Sequence, residues 1–177
     1  GMKAQDTSEL FFQDVRISKE QLLGEEGMGF VYLMQDLPQE RLSVAINAIA
    51  NARSILDQTI EYVKERKAFG KSVATFQNTQ FKLAEMDTDL TVAEAYMDRC
   101  LQLHVEEKFD SVAAAKCKLM STDLQCKVID ECLQLHGGYG FMWEYPVARA
   151  FADARVQRIY AGTNEIMKLI IGRDLVK

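Results

Sequence analysis

Four stretches of this chain carry residue types that could do chemistry. Glu40 lies in Pro38-Gln39-Glu40-Arg41-Leu42. A carboxylate can remove a weakly acidic proton when desolvation lifts its pKa toward the working pH. Taken alone, it reads equally well as a surface charge that the helix dipole favours near a helix start. Arg41 adds little to it, because adjacent residues on a helix do not face each other. Arg66-Lys67-Ala68-Phe69-Gly70 combines a guanidinium fork suited to a diphosphate with a ring suited to an apolar edge. The same cations at a helix C-terminus need no ligand to explain them. Gln134-Leu135-His136-Gly137-Gly138-Tyr139-Gly140 lacks the G-x-G-x-x-G spacing and follows a helix, so it is not a Rossmann phosphate loop. It serves as a helix cap, and its glycines would also let backbone approach a ligand closely. His136 by itself reads as a packed core histidine. In Tyr160-Ala161-Gly162-Thr163-Asn164-Glu165 the last three residues stand at a helix start, whose free N–H groups favour an anion or a plain threonine cap.

The elements that must position these residues are helices. Pro38 to Arg66 predicts a long helix with Leu42, Ile46, Ile49, Leu56, Ile60 and Val63 on one stripe, after a turn or two from Gly29 to Leu37, with Pro38 at a kink or a first-turn position. A loop around Phe69-Gly70-Lys71 leads to a second helix over about Phe76–Glu106, with Leu83, Leu90, Met97, Leu101 and His104 in register. Asp110 or Ser111 caps a third, which stops at Gly137-Gly138. Pro146 opens a fourth to about Gln157, and Thr163 or Asn164 caps a last one to about Leu175. Long helices joined by short loops pack as antiparallel neighbours, so the fold class is all-α. The architecture is an up-down four-helix bundle with an extra C-terminal helix. Residues 9–16 form a short apolar β-type run that cannot make a sheet alone. Residues 1–25 therefore read as the remnant of a β domain with its linker, and residues 26–177 as the bundle.

Composition narrows the classes. At 177 residues and 48% hydrophobic, the chain can bury a core, and two prolines leave little room for irregular segments. No apolar run approaches the roughly 20 residues needed to span a bilayer. A net charge of −5 argues against a nucleic-acid-binding surface. Cys100, Cys117, Cys126 and Cys132 form no C-x-x-C pair and match no zinc spacing with His104 or His136, so no metal is expected. They read as reduced core cysteines of a reducing compartment.

Taken together and in order, P-Q-E-R-L, R-K-A-F-G, Q-L-H-G-G-Y-G-F-M-W-E-Y-P and Y-A-G-T-N-E-I-M resemble the C-terminal helical domain of the acyl-CoA dehydrogenase family, and most closely its long-chain branch. The resemblance runs from Lys3 to the end. It implies a flavoenzyme that desaturates an acyl-CoA thioester between Cα and Cβ, with FAD as cofactor. Most of the family places a catalytic glutamate after the tyrosine, where this chain has Ala161, and a methyl group accepts no proton. The long-chain and isovaleryl branches place the base where Glu40 stands, so Glu40 is the implied catalytic residue. Pro38, Gln39, Arg41, Tyr160 and Gly162 are the implied substrate contacts. Arg66, Phe69, Gln77, Gln134, Gly137, Gly138, Thr163 and Glu165 are the implied FAD contacts, with the R-K-x-F-G motif reaching the FAD of a neighbouring subunit. The implied partners are an electron-transfer flavoprotein and further copies of the chain in a dimer of dimers. The implied compartment is the mitochondrial matrix of a eukaryote or the cytoplasm of a bacterium. Apolar Val31 stands where an aromatic or polar residue often meets substrate, which leaves acyl preference open.

The family builds its flavin site from an N-terminal helical domain, a middle β domain and this bundle. The chain thus reads as a fragment that is inactive alone, and one alternative is a non-catalytic bundle serving only as an oligomerisation module. An acyl-CoA oxidase, which passes electrons to oxygen, is a third reading.

Overall fold

A computed structural model describes residues 1–177. Five α-helices account for the body: α1 Gly29–Glu65, α2 Gln77–Val105, α3 Ser111–His136, α4 Pro146–Ala154 and α5 Asn164–Leu175. The all-α bundle expected from the periodicity is what forms. Helix α3 lies at its centre, packing against α1, α2, α4 and α5.

The core follows the apolar stripes, with instructive exceptions. On α1, Leu42, Ile49, Leu56 and Val63 are buried, and Ala45, Ala48 and Ala52 let the neighbouring helices close in. Ile46 drops off the stripe and is exposed. On α2 the buried residues are Thr79, Met86, Leu90, Ala93, Met97 and Cys100, whereas Leu101 and His104 have turned outward. All four cysteines are free, three of them buried. Salt bridges stitch the helices together: Arg53 reaches Asp87 (2.6 Å) and Glu94 (2.7 Å) between α1 and α2, and Lys127 reaches Asp89 (2.8 Å) between α3 and α2. No helix is long and apolar enough to cross a membrane.

Four boundaries differ from the sequence expectation. Helix α1 starts at Gly29, not near Pro38, so the turns expected before Pro38 belong to it and, of the two positions open to Pro38, the interior one holds. A proline has no N–H to donate, which leaves the Met34 carbonyl without its helical partner. The run at residues 9–16 is not a strand. With no neighbouring strand to take its backbone bonds it stays irregular, and Leu10, Phe11 and Phe12 are exposed. The only sheet is a two-stranded hairpin, β1 Lys67–Ala68 with β2 Lys71–Ser72, where a loop was expected. Helix α4 stops at Ala154 and continues as a tighter 3-10 turn over Arg155–Arg158.

The caps agree with the sequence. Asp110 accepts a bond from the Ala113 amide at 2.7 Å and starts α3, and Thr163 caps α5 through the Ile166 amide.

Candidate active site

The chemistry-bearing residues gather at two places on the bundle. The first is the turn between α4 and α5. Tyr160 is half-buried and its hydroxyl donates to Gln157 Oε1 at 2.8 Å; burial raises its pKa. Gln157 donates in turn to Asn47 on α1 at 2.8 Å. Ala161 and Gly162 both take left-handed backbone, with φ of 54° and 92°. A side chain at Gly162 would meet the tip of Met167 at 2.9 Å, so glycine is required there by backbone shape and by that neighbour.

Helix α1 meets this turn through Arg41. Its side chain is buried and its Nε donates to the Ala161 carbonyl at 3.2 Å. Desolvation lowers its pKa, while nearby Glu40 opposes that. Arg41 therefore braces the turn and is not offered to solvent as a ligand. Glu40, one residue earlier, is exposed, as is Gln39, with Pro38 half-buried beside them. The desolvation that would suit a proton-abstracting carboxylate is not supplied by this domain on its own.

The second place is a cleft of about 400 Å³ between the C-terminal ends of α1 and α3. Arg66, Gln134, Gly137 and Gly138 all line it, so the structure unites four residues that the sequence spreads over more than seventy positions. A side chain added at Gly137 or Gly138 would meet nothing within 4 Å, which leaves bare backbone facing open space. The Arg66 guanidinium lies 5.2 Å from the Tyr139 ring centre. His136 is the packed histidine expected: it stacks on Tyr62 at 4.1 Å, and its Nδ1 lies 2.8 Å from the Cys132 carbonyl. That carbonyl can only accept, so Nδ1 carries the proton. Burial lowers the His136 pKa.

Phe69 stands at the tip of the β1–β2 hairpin, 96% exposed, with Phe69 and Gly70 both at positive φ as a two-residue turn of this hand requires. Ser72 Oγ contacts the Val63 and Lys64 carbonyls, both at 2.9 Å, and so ties the hairpin to the end of α1. Gln77 is the first residue of α2 and is exposed; it does not line the Arg66 cleft. Thr163 and Glu165 belong to the α4–α5 end. Glu165 is fully exposed, and its pKa is lowered first by its own backbone N–H and then by Thr163. The α5 start is thus already served by its own side chains.

Sequence reasoning missed two polar sets. Lys118 is wholly buried beside the Ala161–Gly162 turn. Asn47, Asn51, Gln125 and Gln157 line a separate cleft of about 430 Å³ where α1, α3 and α4 meet. The signal was available on α3, where residues 114, 117, 118, 121, 125, 128 and 132 share one helical stripe. No group of three or more His, Cys, Asp or Glu is placed to hold a metal.

Known proteins share both sequence and shape with this chain. Residues 27–176 match the family described as acyl-CoA dehydrogenase, C-terminal domain. The mitochondrial long-chain specific acyl-CoA dehydrogenase of Mus musculus is 57% identical over 176 residues, 99% of this chain and 41% of that protein. The acyl-CoA dehydrogenase of Geobacillus kaustophilus superposes with a TM-score of 0.90 at 48% identity, over 93% of this chain and 43% of that one. The butyryl-CoA dehydrogenase of Megasphaera elsdenii gives 0.89 at 39% identity, over 94% and 43%. The chain spans less than half the length of these relatives. With its bundle, its glycine-lined cleft and its Tyr-Ala-Gly-Thr turn, it belongs to the acyl-CoA dehydrogenase family and carries that family's C-terminal helical domain.

Proposed function

We propose that this domain forms part of an FAD-dependent acyl-CoA dehydrogenase in which Glu40 removes the α-proton of the bound thioester. The observation that carries the reading is the contact between Arg41 and the Ala161 carbonyl. It pins α1, one residue after Glu40, to the turn where most of the family keeps its base and this chain has only a methyl group.

The residues present fit FAD. Arg66 supplies a fork for the diphosphate, and Gly137 and Gly138 offer backbone with no side chain in the way. Gln134 adds an amide at the same cleft. Phe69, held outward on its hairpin tip, suits an apolar edge on a neighbouring copy of the chain, as Gln77 beyond the hairpin does a polar one. Thr163 and Glu165, at the far end of α3, suit a different stretch of the cofactor. When bound, FAD supplies the two-electron acceptor that desaturation needs.

The chain's own residues do the rest. Tyr160 and Gly162 present the face against which the thioester lies, with Pro38 and Gln39 at its edge. Glu40 Oε takes the proton, and it needs cover from the further length that the relatives possess to be desolvated enough to do so. Reoxidation falls to an electron-transfer flavoprotein. The assembly is a dimer of dimers, in the matrix of a mitochondrion or the cytoplasm of a bacterium.

The test is Glu40→Gln in a polypeptide of the relatives' full length that carries this domain. Flavin absorbance should persist while turnover falls about 10²- to 10⁴-fold, the usual contribution of a general base. Full activity would refute the assignment.

The exposure of Glu40 and the open side of the Arg66 cleft favour a narrower reading for the 177-residue chain by itself, as an assembly module without bound flavin. A colourless purified chain fits that reading, and a yellow one contradicts it.

A further inference from the structure

The turn from Tyr160 to Asn164 is held from beneath by a side chain that would ordinarily sit in water. Lys118 is 0% exposed, and its Nζ donates to the Gly162 carbonyl at 2.9 Å and to Asn164 Oδ1 at 2.8 Å. Asn164 is itself fixed, donating to Thr122 Oγ1 and to Asp123 Oδ1, both at 3.0 Å. From the other side Arg41 holds the Ala161 carbonyl. Two consecutive carbonyls are therefore each bound by a buried cation, one from α1 and one from α3. The backbone between them is the left-handed pair Ala161 and Gly162, a conformation an alanine rarely takes unless its surroundings dictate it.

An apolar side chain of similar length would fill the same volume without burying a charge. The Lys118 ammonium spends its contacts on one turn, which points to a conformational task. We propose that Lys118 is a positioning residue: with Arg41, its ammonium locks the Ala161–Gly162 carbonyls and so fixes how Tyr160 and Gly162 face a bound thioester. The lock is visible in the contacts alone, and only its consequence for acyl-CoA rests on the reading under Proposed function.

The charges around it are mixed. Arg41 on α1 and Arg158 on the 3-10 turn repel the ammonium, while Asp123 on α3 and Glu165 on α5 attract it. Its direct hydrogen bonds go to neutral oxygens, the Gly162 carbonyl and the Asn164 amide.

Lys118→Met tests the proposal by keeping bulk and removing the donors. In the 177-residue chain, amide exchange at Tyr160, Ile166 and Met167, which bracket the turn, should accelerate roughly ten- to hundredfold relative to Leu56 and Leu90 in the core. Uniform acceleration everywhere, or no change around the turn, would overturn it. The unaltered chain gives a second reading that survives a variant that fails to fold. Its Lys118 Nζ should show a slowly exchanging nuclear resonance signal coupled across a hydrogen bond to the Gly162 carbonyl carbon; a freely exchanging ammonium rules the lock out. In a polypeptide of the relatives' full length that carries this domain, Lys118→Met should lower kcat at unchanged flavin content. If Glu40→Gln remained fully active while Lys118→Met still loosened the turn, the lock would stand and the assignment of the base would fall.

Discussion

The two ends of this bundle are built on opposite principles. Lys118 and Gln134 lie sixteen positions apart on α3, which separates the ends by roughly 24 Å. At the Lys118 end the polar groups are buried and bonded to one another, and the turn they hold is complete without any ligand. At the Gln134 end Arg66 and the two glycines face an open cleft, and Phe69 projects into solvent. On the proposed reading, the closed end orients a reacting bond and gains from being set in advance, because its geometry then costs nothing at the moment of reaction. On the same reading the open end admits a large dinucleotide and gains from staying open until it arrives.

Substitution at a glycine on each side is the sharpest way to break the contrast. Gly162→Ala places a side chain at φ 92° against Met167. It should cost about 1–3 kcal/mol, measured by denaturant unfolding. Stability within about 0.5 kcal/mol of the parent would show that the closed end is not closed.

A smaller effect should appear with pH. Burial, followed by the repulsion of Arg41, brings the Lys118 pKa from 10.5 down to about 8. Between those values the unfolded chain keeps a proton that the folded chain has lost, so stability should rise as pH goes from about 8 to about 10.5. The contribution is fully present above that window and is lost as pH falls through about 8. Lys118→Met should remove the slope in a thermal melt series. His136, its pKa also lowered by burial, gives the same sign at lower pH: its contribution is lost as pH falls below 6.5. The smallest stability change belongs to the open end. Gly138→Ala meets no neighbour and should shift unfolding by less than about 0.5 kcal/mol, yet on the proposed reading flavin titration of a polypeptide of the relatives' full length carrying it should show weakened binding.

The open end was the more legible in sequence. Arg66, Gln134 and the Gly137-Gly138 pair stand in short motifs; residue type alone left caps and terminal cations open for them, and the resemblance singled them out. The helices and the caps at Asp110 and Thr163 were legible for the same reason: each depends on neighbours within a few residues. What escaped depends on distant partners. Lys118 belongs to none of the motifs, and its partners Gly162 and Asn164 lie more than forty residues away. Local rules leave Pro38 either at a kink or at a first turn, and only the full length of α1, which begins nine residues earlier, decides for the interior. The apolar run at residues 9–16 has strand composition but no strand to pair with.

Helix α1, finally, is a single 37-residue element that carries Glu40 about a third of the way along it and, through Ser72, the Phe69 hairpin at its C-terminal end. At 1.5 Å per residue it is a rod of roughly 55 Å. The stretch from Glu40 to Glu65, which no proline interrupts, accounts for roughly 38 Å of it. One continuous helix therefore holds the Glu40 carboxylate and the base of the Phe69 hairpin at a set spacing along a common axis.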